Sequence, residues 1–247
     1  PGTPFSAALY QRFSRDAIAD ITARGRLPVL CGGTGLYLRA ALDLMQFPPG
    51  EAESEARLAL EEDAARLGPE AMHARLAEVD PESAATIHPN NTRRVLRALE
   101  MYEQGGSYAR QAATFKNRKS AYNTCYIGLT LAREELYRRI DLRVRSMVEA
   151  GLHDEVESLL SNGLEKALTA SQAIGYKEIV PVIRGDKSLD DAIEEIALAT
   201  RRYAKRQLTW FRADDRIRWV DVTGMSHEQA MEAAEPLVQS WLDTSDR

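Results

Sequence analysis

Cysteine is scarce: Cys31 and Cys125 are the only two in 247 residues. They lie far apart, with no second Cys or His at ligand spacing, which excludes a disulfide framework and a zinc site. Both read as small buried apolar residues, and no metal-ligating set is expected from the residues themselves. No apolar run approaches the roughly 20 residues that span a bilayer, and no charged segment leading into an apolar one opens the chain. The expectation is a cytoplasmic protein with no membrane partner. There is no Gly-Lys-Ser or Gly-Lys-Thr loop, no G-x-G-x-x-G, no internal repeat and no low-complexity tract. What remains, 44% hydrophobic and 28% charged residues, is the make-up of an ordinary globular protein with one large domain or two small ones. The first residue is Pro1, followed at once by a helical pattern, from which the expectation is that the chain is a piece of a longer protein.

The net charge of −5 conceals a strong polarity along the chain. Segment 48–82 holds ten acidic residues against three arginines, a net of −7. Segment 88–145 has twelve Lys/Arg against five acids, a net of +7, and segment 198–219 has seven against two, a net of +5. Such runs are either solvated helix faces or surfaces for a polyanion. Aromatics interleaved with the two basic segments favour the second reading, a nucleic-acid partner.

Apolar spacing predicts a helix over 6–24, then a buried parallel strand over Leu27-Pro28-Val29-Leu30-Cys31, stopped by Gly32-Gly33, then a helix from Thr34 to about 44. From Phe47-Pro48-Pro49-Gly50 the chain turns into charged, Ala-rich helix at 51–67 and 69–79, and again after Asn91 to Glu103, with Gly68-Pro69, Asp80-Pro81 and Gly105-Gly106 as breakers. Residues 123–131 alternate as a strand should. A long helix then carries Leu136, Ile140, Val144, Met147 and Val148 on one stripe, with Arg138, Arg139, Arg143 and Arg145 largely off it. Gly151 interrupts before 152–160. A helix over 189–210, a strand over 217–222 and a helix over 226–242 complete the pattern. The fold class is α/β, with a parallel sheet and an inserted all-helical domain: core 1–47, insertion 48–122, core 123–247.

Three clusters can carry chemistry. In C-G-G-T-G-L-Y-L at 31–38, Gly32, Gly33 and Gly35 let a ligand approach the backbone at the start of a helix, or else form a tight connection capped by Thr34. In H-P-N-N-T-R-R at 88–94, capping residues precede Arg93, Arg94 and Arg97 in the first turns of a helix. Those cations oppose the helix dipole, and an external anion would relieve the conflict. His88 is a turn residue in this reading. In T-R-R-Y-A-K-R-Q-L-T-W-F-R at 200–212, Arg201 with Lys205 and Arg202 with Arg206 form two basic rows, near Gln207 and Trp210.

In this order the clusters resemble the bacterial tRNA dimethylallyltransferase family. The likeness runs through L-P-V-L-C-G-G-T-G-L-Y-L at 27–38, H-P-N-N-T-R-R at 88–94, L-Y-R-R-I-D-L-R-V-R-S-M-V-E-A-G-L at 136–152, A-I-G-Y-K-E at 173–178 and A-K-R-Q-L-T-W-F-R at 204–212. The resemblance implies a monomer with a nucleotide-binding P-loop type core, and transfer of a dimethylallyl group from dimethylallyl diphosphate to the exocyclic amine of the adenosine 3′ of the anticodon, with Mg2+. It implies that Thr34 faces the reacting adenosine. Arg57, Arg93, Arg94 and Arg97 would contact the tRNA anticodon stem-loop, as would Gln172, Gly175, Tyr176, Lys177, Lys205, Arg206, Gln207, Trp210 and Arg212. Where the family has H-P-N-D-x-Q-R, this chain has Asn91 and Arg93. The family's Walker-type loop and its D-S-x-Q segment, with the general base, have no counterpart in the 247 residues, so the chain alone is expected to transfer no prenyl group. Two other readings stand beside this one: an adenylate isopentenyltransferase acting on free nucleotide, and a non-catalytic RNA-binding protein.

Overall fold

A computed structural model describes residues 5–47, 55–116, 118–167 and 169–245. The chain divides into two compact units, one formed by Leu42–Ala121 and the other by Pro1–Ala41 with Tyr122–Arg247.

In the larger unit the opening helix α1 (Ala7–Ala23) starts at Ser6, whose hydroxyl accepts from the Leu9 N–H, satisfying one of the orphan donors of a first turn. The run 27–31 forms no strand. Val29 is 82% exposed, Leu27 54% exposed, and Cys31 is exposed and Cys125 half-buried. The expected buried strand and the buried cysteines are therefore corrected. An apolar run becomes a buried strand only where neighbours complete its ladder, and no described residue pairs with 27–31. Helix α2 (Gly35–Leu42) follows.

The sheet consists of β1 (Ile127–Thr130) and β2 (Arg218–Asp221), parallel, with Ile127 opposite Arg218 and Thr130 opposite Asp221. The chain between them supplies the crossover helices that parallel pairing requires. Helix α8 (Arg133–Glu149) ends at Ala150, Gly151 turns the chain with φ 101°, and α9 (Leu152–Ser161) begins. Then come α10 (Tyr176–Ile183) and the 24-residue α11 (Leu189–Arg212), about 36 Å long. The core joins Ile140 and Val144 of α8 to Leu152, Val156, Leu164, Ile179, Ala192 and Ile196. α11 is well terminated: Ser188 accepts from the Asp191 N–H, Asp190 and Asp191 occupy its first turn and Arg212 its last, all matched to the helix dipole. Its buried residues Ala192, Ile196 and Ala197 lie in its N-terminal half, leaving the basic C-terminal half for another task. The last helix, α12 (His227–Ser245), follows β2.

The smaller unit is helical, with α3 (Glu55–Leu67), α4 (Pro69–Val79), α5 (Pro81–Thr86), α6 (Thr92–Glu103) and α7 (Tyr108–Lys116). The expected start of the first of these at residue 51 lies outside the described residues. Leu60, Met72, Leu76, Ile87, Val95, Leu96 and Leu99 form its core. A buried polar node ties α5 to α7. Asp80 caps α5 by accepting the Ser83 N–H at 3.1 Å and the Ser83 hydroxyl at 2.5 Å, while that hydroxyl accepts from the Ala109 N–H at 2.9 Å. Burial pushes the Asp80 carboxyl up, but the hydrogen bonds from Ser83 and Ser107 and the Arg110 charge outweigh it, and the group lies below its ordinary value.

A carboxyl depressed in the folded state stabilises above its unfolded pKa, and that stabilisation is lost as pH falls through the folded value. Asp80→Ala should therefore cost about 1–2 kcal/mol in urea unfolding at pH 7. The gap between variant and parent should close as pH drops below about 4. A gap that is constant down to the acid limit would mean that the carboxylate charge contributes nothing.

Candidate functional site

The glycine turn lies against the C-terminal half of α11, an arrangement that depends on missing side chains. Gln207 Nε2 donates to the Gly33 carbonyl at 2.8 Å. A Cβ built at Gly33 would fall 2.3 Å from that Nε2, and one at Gly35 would fall 2.1 Å from Trp210 Cδ1. Both separations are well inside van der Waals contact, so the two glycines are what lets the backbone meet the helix. Nothing lies within 4 Å of a Cβ at Gly32. Thr34 is exposed, and its carbonyl accepts from the Tyr37 and Leu38 N–H groups at 2.9 and 3.0 Å. Its hydroxyl makes no hydrogen bond among the described residues, so the capping reading of Thr34 does not hold.

Ile196, Thr200, Tyr203, Gln207 and Trp210 recur at alternating spacings of four and three, which aligns them on one face of α11. Arg202, Lys205 and Arg212 fall on the opposite side and are exposed. None of these three has an ion-pair partner among the described residues. Arg206 is exposed and lies 5.7 Å from the Tyr203 ring centroid. The expected basic rows are incomplete, because Arg201 is engaged: its guanidinium pairs with Asp141 of α8 and lies 5.4 Å from the Tyr137 ring centroid. Burying part of a guanidinium demands such a partner.

Residues 172–178 mix exposed and committed groups. Gln172 and Lys177 are exposed, and Gly175 is buried. Gly175 has φ 104°, which a residue with a Cβ rarely adopts, and its N–H donates to the buried Glu178 carboxylate at 2.8 Å. Lys177 Nζ lies 3.6 Å from the same carboxylate. The Tyr176 hydroxyl donates to Glu155 of α9. That hydrogen bond, with burial, holds the phenol above its ordinary value. Gly175 and Tyr176 thus shape this segment from within.

In the smaller unit the four arginines separate by partner. Arg57 donates to Glu61 at 2.7 Å with only 14% of its side chain exposed. Arg97 donates to Glu100 at 2.7 Å, and that carboxylate is 3% exposed. Arg93 and Arg94 are exposed with no ion-pair partner among the described residues. The first turn of α6 holds no acidic residue, and its N-cap Asn91 makes no side-chain cap bond. Two cations therefore face an unrelieved helix N-terminus, and an anion from outside would be drawn to them.

Sequence reasoning passed over a cleft in the larger unit. It measures about 400 Å³ and is lined by Arg143, Val144, Met147, Ile174, Ile196, Thr200 and Tyr203. The signal was present: Ile196, Thr200 and Tyr203 continue the stripe that ends in Gln207 and Trp210, but the cationic residues drew attention to the other side of the helix. The arginines one turn earlier on α8 are quiet by comparison. Arg138 and Arg139 bracket Glu135 at 2.9 and 2.7 Å, and their hydrogen bonds pull that carboxyl down to about 2.

The chain is similar to proteins of known activity. A tRNA dimethylallyltransferase of Geobacillus thermodenitrificans is 49% identical over 223 residues, 90% of this chain and 70% of the relative. The solved tRNA isopentenylpyrophosphate transferase of Bacillus halodurans superposes with a TM-score of 0.68 at 39% identity, covering 100% of this chain and 77% of that one. A eukaryotic dimethylallyltransferase acting on tRNA superposes with a TM-score of 0.74 at 26% identity, covering 96% of this chain and 63% of that one. The family model described as IPP transferase matches residues 1–214, and the chain belongs to that family.

Proposed function

We propose that the chain acts in transfer of a dimethylallyl group from dimethylallyl diphosphate to the exocyclic amine of the adenosine 3′ of the anticodon in tRNA. The observation that carries this reading is the Thr34 hydroxyl, exposed and without an internal hydrogen bond, on a glycine turn seated against a helix whose far side bears unpaired cations. In the reaction the amine nitrogen forms a bond to the allylic carbon as the carbon–oxygen bond to diphosphate breaks. The proton leaves the nitrogen for a general base, and the adenine that carries the amine must first leave the anticodon-loop stack. In this reading Thr34 orients the extruded adenine. Arg93 and Arg94 on one unit, with Arg202, Lys205 and Arg212 on the other, supply the phosphate contacts that hold the RNA. A free nucleotide would have no use for a separate helical unit with two unpaired arginines at a helix start.

Magnesium is usually held by one or two carboxylates together with substrate phosphates and water. The one group of metal-binding types among the described residues, His153, Asp154 and Glu157 on α9, includes an imidazole, whereas magnesium takes oxygen ligands.

RNA binding gives the first test. The chain should bind an anticodon stem-loop with a steep salt dependence, and the double change Arg93→Ala, Arg94→Ala should flatten the slope of log affinity against log salt by up to about one unit per lost phosphate contact. An unchanged slope would remove both residues from the interface. Arg97→Ala should behave differently, costing about 1–3 kcal/mol of unfolding free energy because Glu100 is left buried without its partner. If Arg97→Ala instead leaves stability intact and weakens RNA binding, the pairing is incidental.

Catalysis gives the second test. In a chimera that adds to this chain the parts of the Bacillus halodurans transferase it does not cover, Thr34→Val should lower turnover by about tenfold or more while the stem-loop Kd stays within about twofold. A raised Kd with turnover intact would make Thr34 a binding residue only.

A further inference from the structure

We propose that Gln207 and Trp210 are positioning residues that hold the glycine turn and its Thr34 peptide in place, and that Gln207 does so without touching RNA. The proposal rests on the reading of Thr34 given above and assigns to two side chains a task different from the one the family likeness implies for them.

The argument begins with the peptide plane. The Gly33 carbonyl and the Thr34 N–H belong to one planar unit. The hydrogen bond from Gln207 Nε2 to Gly33 O at 2.8 Å therefore fixes the orientation of the group from which Thr34 departs. On the other side of Thr34 its carbonyl is fixed as well, by the Tyr37 and Leu38 N–H groups. Both peptide units flanking Thr34 are thus pinned, while its hydroxyl has no partner among the described residues. Trp210 adds a steric stop. Its ring occupies the space that a Cβ at Gly35 would fill, 2.1 Å from both Cδ1 and Nε1, so the turn cannot move toward α11. Gln207 and Trp210 are three residues apart, so they share one face of the helix. The unpaired Arg202, Lys205 and Arg212 point the other way. One helix thus serves two tasks on opposite sides, holding the turn on one and meeting phosphate on the other.

Gln207→Glu provides a test that loss of packing alone would not reproduce. A protonated glutamic acid still donates a hydrogen bond to the Gly33 carbonyl, whereas the carboxylate cannot donate and repels that oxygen. In protein labelled with 15N at threonine, the Thr34 amide resonance of Gln207→Glu should titrate between about pH 4 and 6, reaching the wild-type position at the acid end. It should be flat in the wild type, and the other threonine amides should not follow it. A Thr34 resonance that does not titrate in the variant would overturn the proposal.

Gln207→Leu, or Gln207→Met should the leucine variant fold poorly, tests the second half. Its Kd for an anticodon stem-loop should remain within about twofold of wild type, while Lys205→Ala with Arg212→Ala should weaken it by about tenfold or more. A tenfold loss in Gln207→Leu with the Thr34 amide unmoved would place Gln207 on the RNA and overturn the proposal. If the Lys205, Arg212 pair has no effect but the Thr34 amide titrates, the positioning role stands and the RNA-binding reading of α11 fails, so the two failures are distinguishable.

Discussion

The approach of bare backbone to helix at Gly33 and Gly35 is the constraint on which the rest of the larger unit's site depends. Glycine is entropically costly to order, and two of the three in this turn are occupied from outside by side chains of α11, while the third meets open space. The cost is offset by contact that no other residue type could make. Because the contact is with the C-terminal half of α11, that half cannot be a freely solvated basic face all round. The helix acquires a turn-facing stripe and a cation-bearing stripe, and the core below Ala192 and Ile196 fixes the rotation that assigns each.

Charge is sorted by the same logic of partners. A cation with a carboxylate one helical turn away or across a helix pair contributes to the fold, as Arg97 does with Glu100 and Arg201 with Asp141. A cation at a helix start with no acid in reach is left for an external anion. Arg93 and Arg94 are of that kind, four and three positions from Arg97 on the same helix, so a single turn separates an arginine paired within the fold from two without an ion-pair partner among the described residues. Part of the negative charge of the smaller unit is engaged internally, as in the Asp63 carboxylate shared by Arg66 and Arg75. That carboxyl is held below its ordinary value, the Arg66 hydrogen bond being the largest cause.

Much of the architecture was legible in the sequence because period and breakers report local geometry. The two strands lie inside the alternating runs 123–131 and 217–222, and the helices that flank Gly151 begin and end where the glycine requires. The run 27–31 misled, because side-chain pattern measures apolarity and says nothing about whether a neighbouring strand exists. Helix α10 escaped notice for the opposite reason: Pro181 within it reads as a breaker, although its neighbours pack on α9 and α11. The pairing of Arg97 with Glu100 is visible in the sequence as a spacing of three. Contacts such as Gln207 to Gly33, 174 residues apart, could not have been read from spacing at all, since they exist only once the chain has folded back on itself.

We propose that tRNA is held through Arg93 and Arg94 of the smaller unit and Arg202, Lys205 and Arg212 of the larger, all exposed. Amide hydrogen exchange with and without an anticodon stem-loop tests it most directly. Exchange should slow in the first turns of α6, from Thr92 to Arg97, and in the last turns of α11, from Arg201 to Arg212, with α9, which carries the half-buried His153 and the exposed Asp154 and Glu157, unaffected. Exchange slowed in neither basic segment at saturating RNA, or slowed chiefly along the acidic α3 and α4, would contradict it.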